Sequence, residues 1–145
     1  MSIELEEQYD KIYRYCYYRF HNVQIAEDIT QETFLRYLER EGGISERPLA
    51  YMYTIARNLC IDEYRKRKME ELPDDLANSE TENQLVDSLA IQQAVSLLEK
   101  EERELIVLRY VNEVSVADMA AIYGISRFSM YRKLKQVLKK LERSF

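Results

Sequence analysis

The chain has 145 residues, 46% of them hydrophobic and 32% charged, with a formal net charge of −5. That balance is ordinary for a globular protein and excludes a disordered one, while an acidic total argues at first sight against a nucleic-acid partner. No apolar run approaches the ~20 residues of a bilayer span, and the acidic opening "MSIELEEQYD" lacks the apolar core of a secretory signal.

The length suits one domain or two very small ones. Three glycines and two prolines leave little material for hairpin turns, so long helices are favoured. Within the first block, Tyr9, Ile12, Tyr13, Cys16 and Phe20 recur at steps of three and four, which predicts one buried helical face. A second helix is expected over about 24–40, with Ile25, Ile29, Phe34 and Leu38 as apolar positions, ended by the glycines of "EGGIS". Pro48 suits a first helical turn. From it "PLAYMYTIARNLCIDEYRKRK" reads as a third helix with Met52, Ile55, Ala56 and Leu59 on its stripe and a basic end. Cys16 and Cys60 both fall inside these helical patterns and read as reduced core thiols, although the sequence also permits a disulfide. A single histidine, His21, and no Cys-x-x-Cys give a zinc site nothing to build on; His21 suits a loop or cap.

Composition then changes. Glu70, Glu71, Asp74, Asp75, Glu80, Glu82 and Asp87 crowd a stretch with a proline and almost no apolar spacing, and no Lys or Arg occurs between Lys68 and Lys100. This is an acidic linker. Much of the negative total sits here, so the overall charge does not speak against DNA.

Helical periodicity resumes at about Leu89. "SLLEKEERELIVLRYV" starts with acids that suit a helix N-terminus and is expected to bury Leu105, Ile106, Leu108 and Val111. "SVAD" has the form of a capping box starting a short helix at Ser115, with Met119, Ala120 and Ile122 inward. Gly124 is placed as its C-cap and Ser126 as the N-cap of the next helix. On that last helix Met130, Leu134, Val137, Leu138 and Leu141 share one face. The other side gathers Ser129, Arg132, Lys135, Gln136, Lys139 and Arg143. A short helix, a glycine turn and a longer helix with a basic outer face form a helix-turn-helix, which reads DNA from the early residues of its second helix. A solvated basic face on a bundle helix would give the same charge pattern.

Two segments of the first block are more specific: Ala26–Leu35, "AED-x-x-QE-x-FL", and Ile55–Arg65, "IARN-x-x-ID-x-x-R". Together with the helix-turn-helix, in this order and over nearly the whole chain, they resemble a bacterial sigma factor of the extracytoplasmic-function (ECF, group IV) class. The resemblance implies an all-α fold of two small helical domains joined by an acidic linker. Region 2, a helical bundle, would span 1–69, the linker 70–92, and region 4 with its helix-turn-helix 93–145. It implies a cytoplasmic transcription initiation factor, not an enzyme, that needs no cofactor or metal and is a monomer when free. Its partners would be core RNA polymerase (the clamp helices of the largest subunit, and the flap), promoter DNA and an anti-sigma factor.

Carried over by position, Asp28, Gln31, Glu32 and Leu35 would bind core polymerase. Arg57, Asn58, Arg65, Lys66, Arg67 and Lys68 would face the minus-ten element. Tyr131, Arg132, Lys135 and Gln136 would meet bases of the minus-thirty-five element, and Arg109, Arg127 and Ser129 its phosphates. The acidic linker would run through the polymerase's RNA path. Tyr51 stands where the family usually has Trp and reads as a core aromatic, and Asp62 as a structural carboxylate pairing with Lys66. Phe128 is bulky at a position often small and would pack under the turn or touch DNA, and Tyr131, Lys135 and Gln136 also depart from the family pattern, so no promoter sequence carries over. Two rival readings stay open: a stand-alone helix-turn-helix regulator, and a sigma-like protein-interaction module without promoter recognition.

Overall fold

A computed structural model describes residues 4–40, 46–69 and 89–143, with the side chains of 89–92 aside. The glycines of "EGGIS" and most of the acidic linker lie outside the described residues. The chain divides into two compact units between Glu82 and Asn83. Among the described residues the secondary structure is helical, without a strand, as the all-α reading expects.

The first unit holds α1 (Leu5–Phe20), α2 (Val23–Glu39) and α3 (Pro48–Met69), packed against one another. α1 ends on His21, whose left-handed backbone caps the helix, and Asn22 opens α2 by accepting the Ile25 amide at 2.9 Å. The α1 seam is Gln8, Ile12, Tyr15 and Cys16; Tyr9, Tyr13 and Phe20 stand half-buried at its margin. On α2 the buried residues are Ala26, Ile29, Thr30 and Thr33. The two threonines can be inside because each hydroxyl donates back to the carbonyl four residues earlier, Thr30 to Ala26 at 2.6 Å and Thr33 to Ile29 at 2.7 Å. Leu38, expected in the core, is instead turned to solvent.

α3 contributes Ala50, Met52, Tyr53, Ala56 and Cys60 to the core. Tyr53 meets Tyr15 edge-on at 5.8 Å, an arrangement aromatic rings prefer. Cys16 and Cys60 are free thiols, fully buried, with Sγ atoms 3.8 Å apart. Tyr51, expected in the core, is only partly covered and lies beside Tyr37 with ring centroids 6.0 Å apart. Asp62 is exposed and, among the described residues, forms no ion pair with Lys66, which is exposed as well.

The second unit begins with α4 (Leu89–Ser96), so residues 89–92 are already helical. The single helix expected from Ser96 is interrupted at 97–99, and α5 (Lys100–Ile106) starts afresh with the Glu99 amide donating to the Glu102 carboxylate at 2.9 Å. α5 then widens into a π-helical turn, Val107–Val111, closed by the Asn112 amide on the Val107 carbonyl at 2.9 Å. α6 (Val116–Tyr123) and α7 (Arg127–Arg143) complete it. Leu105, Val107, Leu108, Met119, Ile122, Met130, Leu134 and Val137 contribute to its core, whereas Ile106 and Val111, expected inside, are only partly covered.

A carboxylate lies in that core. Glu104 on α5 is buried and accepts a hydrogen bond of 2.5 Å from the Tyr123 hydroxyl at the end of α6. Removing one partner of a buried polar pair costs about 1–3 kcal/mol. Tyr123→Phe is therefore expected to lower the melting temperature of this unit by about 4–8 °C per kcal/mol lost, as thermal unfolding of the full chain followed by circular dichroism would show.

α5 and α7 are also joined at the surface. Lys140 Nζ lies 2.8 Å from Glu102, and Lys133 Nζ lies 3.8 Å from Glu101. The Lys140 hydrogen bond, helped by the Glu99 amide, holds the Glu102 carboxyl below its ordinary value of 4.5. A depressed folded-state value stabilises the fold above the unfolded value and stops doing so as pH falls through the folded one. Glu102→Gln should therefore lower the melting temperature slightly at pH 7, with the difference from the parent chain shrinking toward zero as the pH is brought below 4.5.

Candidate nucleic-acid and polymerase interfaces

The helix-turn-helix is built by local chemistry. The Ser115 hydroxyl accepts the Asp118 amide at 3.1 Å and opens α6. Gly124 ends α6 with φ +68°, a left-handed conformation that glycine adopts without strain, and the Ile125 amide reaches back to the Ala120 carbonyl at 3.0 Å. Ser126 then caps α7, its hydroxyl accepting the Ser129 amide at 3.0 Å. The turn is fixed at both ends, so the direction of α7 is set.

The outer face of α7 carries Phe128, Arg132, Lys135, Gln136 and Lys139, all exposed, with half-buried Ser129 beside them. Tyr131 is exposed at the edge of this face and Arg127 at its N-terminal end. Lys133 and Lys140, on the flank, are engaged by Glu101 and Glu102, so the acids of α5 neutralise the flank and leave the outer face basic. Phe128 does not pack under the turn; it is 72% exposed, with the Arg132 guanidinium 5.2 Å from its ring centroid. Arg109 sits apart, half-buried in the π turn, where its guanidinium donates to the Val114 carbonyl at 3.3 Å. That bond ties the π turn to the segment entering α6.

On α3 the basic end runs outward from the core. By helical geometry Arg65 lies almost directly above Asn58, with Lys66 and Lys68 to either side and Arg57 on the same flank as Lys68. Arg67 is nine residues beyond Asn58, two and a half turns, and so on the opposite side. Asn58, Arg65, Lys66 and Lys68 are exposed, and Arg57 and Arg67 partly covered. Tyr64 adds an exposed ring, with Lys68 Nζ 6.0 Å from its centroid. This juxtaposition of an amide, an aromatic face and cations suits unstacked bases and phosphates.

On α2, Asp28, Gln31 and Leu35 form an exposed stripe with partly covered Glu32 beside it. The Gln24 amide donates to Asp28 at 2.9 Å, and Arg36 pairs with Glu32 at 2.9 Å, both on the surface. Leu35 is 59% and Leu38 44% exposed. Leu38 continues the stripe three residues on from Leu35, a position that apolar periodicity assigns to the core. The signal that identifies it is the distance along the helix from Gln31 and Leu35, not its hydrophobicity. The stripe passes from Asp28 through Gln31 to the two exposed leucines, with Glu32 and its partner Arg36 beside them, an apolar patch with a polar rim.

Among the described residues no group of three or more His, Cys, Asp or Glu could hold a metal, and no helix is long and apolar enough to cross a membrane.

Two family models match the chain: sigma-70 region 2 over residues 5–70 and sigma-70 region 4 over residues 88–141. The ECF RNA polymerase sigma factor BldN of Streptomyces coelicolor is 35% identical over 134 residues, covering 83% of this chain and 51% of BldN. The chain thus spans about half the length of that relative. The ECF RNA polymerase sigma factor SigW of Bacillus subtilis is 35% identical over 136 residues, 80% of this chain and 73% of SigW. SigM of the same organism, also named an ECF RNA polymerase sigma factor, is 31% identical over 134 residues, 85% of this chain and 82% of SigM. Among solved structures, the sigma factor RpoE of Bartonella quintana, crystallised with the anti-sigma factor NepR, matches with a TM-score of 0.66 at 20% identity, over 97% of this chain and 92% of that one. At that identity the likeness is one of fold.

Proposed function

The chain belongs to the extracytoplasmic-function RNA polymerase sigma factors of the sigma-70 family, and we propose that it is a group IV initiation factor that binds core RNA polymerase and directs it to a specific promoter. The observation that carries this reading is the presence of both regions on one chain in this order, each bearing an exposed face of the right chemistry.

In this role the α2 stripe of Asp28, Gln31, Glu32 and Leu35 binds the clamp helices of the largest polymerase subunit, and region 4 approaches the flap. Arg57, Asn58, Arg65, Lys66 and Lys68 hold the melted minus-ten strand, with Arg67 reaching phosphates from the other side of α3. Tyr131, Arg132, Lys135 and Gln136 meet bases of the minus-thirty-five element, while Arg127 and Ser129 contact phosphate. Arg109 steadies the turn leading into α6 and takes a phosphate with its remaining donors. The region boundaries 1–69 and 93–145, with 70–92 between, belong to the same proposal. The factor forms no bond in the substrate and needs no cofactor or metal; initiation chemistry is the polymerase's, which places its action in the bacterial cytoplasm. An anti-sigma factor would restrain it by covering the α2 and α7 faces, whose exposed Leu35, Leu38 and Phe128 offer apolar anchors.

The test is size-exclusion co-elution of the purified chain with bacterial core polymerase, followed by run-off transcription. A stoichiometric complex and polymerase-dependent initiation support the reading. A tight dimeric complex with duplex DNA in the absence of polymerase would move the assignment to a stand-alone regulator.

A further inference from the structure

Phe128 stands on the α7 face proposed to read DNA, yet the proposed function assigns it no base or phosphate. It lies at the second residue of α7, where a groove-entering helix meets base edges, and 72% of it is exposed. The ring is not idle within the protein. Arg132, one turn later, lays its guanidinium over the ring at 5.2 Å and also donates to the Ser129 hydroxyl at 3.4 Å. Ser129 is itself held by the cap, its amide on the Ser126 hydroxyl at 3.0 Å and its own hydroxyl accepting from Ser126 at 3.1 Å. A chain of contacts therefore runs from the turn to Arg132, and the ring fixes the guanidinium from the other side.

A guanidinium held over the ring at 5.2 Å, with Nη2 on Ser129, keeps its remaining N–H groups available to guanine O6 and N7. The ring's exposed edge, one turn toward the helix N-terminus, is apolar and has no polar atom to satisfy. In the major groove the one apolar feature among the base edges is the thymine methyl, which phenylalanine is suited to meet. We propose that Phe128 and Arg132 act as one reading unit that recognises a thymine beside a guanine in the upstream promoter element, with Phe128 as a specificity-determining residue. This rests on the α7 face being the one that reads DNA, as the proposed function has it.

The experiment uses the full chain, with and without core polymerase, on a duplex library randomised over the upstream element. The parent chain is expected to enrich sequences with a thymine adjacent to a guanine. Replacing that thymine by deoxyuridine, which removes only the methyl, should weaken binding about fourfold, the worth of one buried methyl. Phe128→Ala should melt like the parent chain, lose the deoxyuridine effect, and relax the guanine preference as well. Phe128→Leu should keep the methyl effect yet relax the guanine preference, because a leucine offers Arg132 no ring face.

The proposal is overturned if the parent chain enriches no thymine beside guanine, if Phe128→Ala is as sensitive to deoxyuridine as the parent, or if Phe128→Leu leaves the guanine preference intact. Enrichment without polymerase would count against the initiation-factor reading alone, since the methyl test can be run on that duplex. No enrichment in either arm would overturn both.

Discussion

Reversing charge at both Asp28 and Glu32, to arginine, is expected to abolish co-elution with core polymerase while leaving the helical fold intact. The fold survives because neither residue supports it: Asp28 projects opposite the buried Ala26, Ile29, Thr30 and Thr33, and Glu32 lies on the flank, only partly covered. Their present partners, Gln24 and Arg36, are exposed, and exposed pairs of this kind contribute at most about 1 kcal/mol. Binding behaves differently. At an interface that excludes water, losing one member of a hydrogen-bonded charge pair costs about 2–5 kcal/mol, and placing like charges face to face costs several more. Two reversals together exceed the 1.4 kcal/mol per tenfold in affinity by enough to remove a micromolar complex from view.

Circular dichroism melts and co-elution, made on the same preparation, separate the two effects. Leu35→Ala and Leu38→Ala should weaken the complex to a lesser degree, and Leu38→Ala is the more informative of the two. Apolar periodicity puts Leu38 in the core, where its truncation would cost about 2–5 kcal/mol of stability; the structure exposes it, so the melt should barely move. A complex that survives the double reversal would detach the α2 stripe from polymerase binding.

The difference between Leu38 and Met130 shows where sequence is informative. On α7, Met130, Leu134 and Val137 are inside as their spacing predicts, although Leu138, expected on the same face, is 42% exposed and Leu141 only partly covered. The turn before it is equally legible: Ser115, Gly124 and Ser126 act on amides and carbonyls within a few residues, so local chemistry decides. α2 breaks the pattern. Its core side is filled by Ala26, Ile29 and two threonines, Thr30 and Thr33, whose hydroxyls are satisfied within the helix. Leucines are thereby released to the outer face. Hydropathy cannot register such an exchange.

The restart at Glu99 is local chemistry, its amide closing on the Glu102 carboxylate, whereas the π turn at 107–111 was hidden because it follows from packing on α6, which is a tertiary matter. The Glu104–Tyr123 bond is of the same kind, joining residues nineteen apart. Among the candidate site residues, the exposure of Asp28, Asn58, Arg132 and Lys135 follows from helical spacing. Arg109 does not follow, since its hydrogen bond to Val114 depends on the left-handed backbone at Glu113, φ 58°, where no glycine signals a turn.

Arg132 and Lys135 supply the other large effect. Converting both to glutamate is expected to abolish promoter-dependent transcription while leaving co-elution with polymerase unchanged, because the two faces lie on different helices of different units. The single alanine variants should then separate the two roles. Lys135 is an exposed, flexible cation on the outer face. Besides meeting a base it neutralises phosphate charge, so Lys135→Ala should weaken binding to all duplexes and reduce the slope of log K against log salt by about 0.9.

Arg132 is held between Phe128 and Ser129, and a positioned guanidinium is suited to discriminate rather than simply attract. Arg132→Ala should relax preference at one base pair by about 1–3 kcal/mol. The salt slope should change less than for Lys135→Ala. The acidic total of the chain does not weaken this expectation. At physiological salt, charges farther apart than about 8 Å are largely screened, so the field at the groove is set by the outer face of α7 and its immediate flank. There Glu101 and Glu102 are already matched by Lys133 and Lys140. Transcription that persists after both charge reversals would remove α7 from promoter recognition and leave the chain as a sigma-like interaction module.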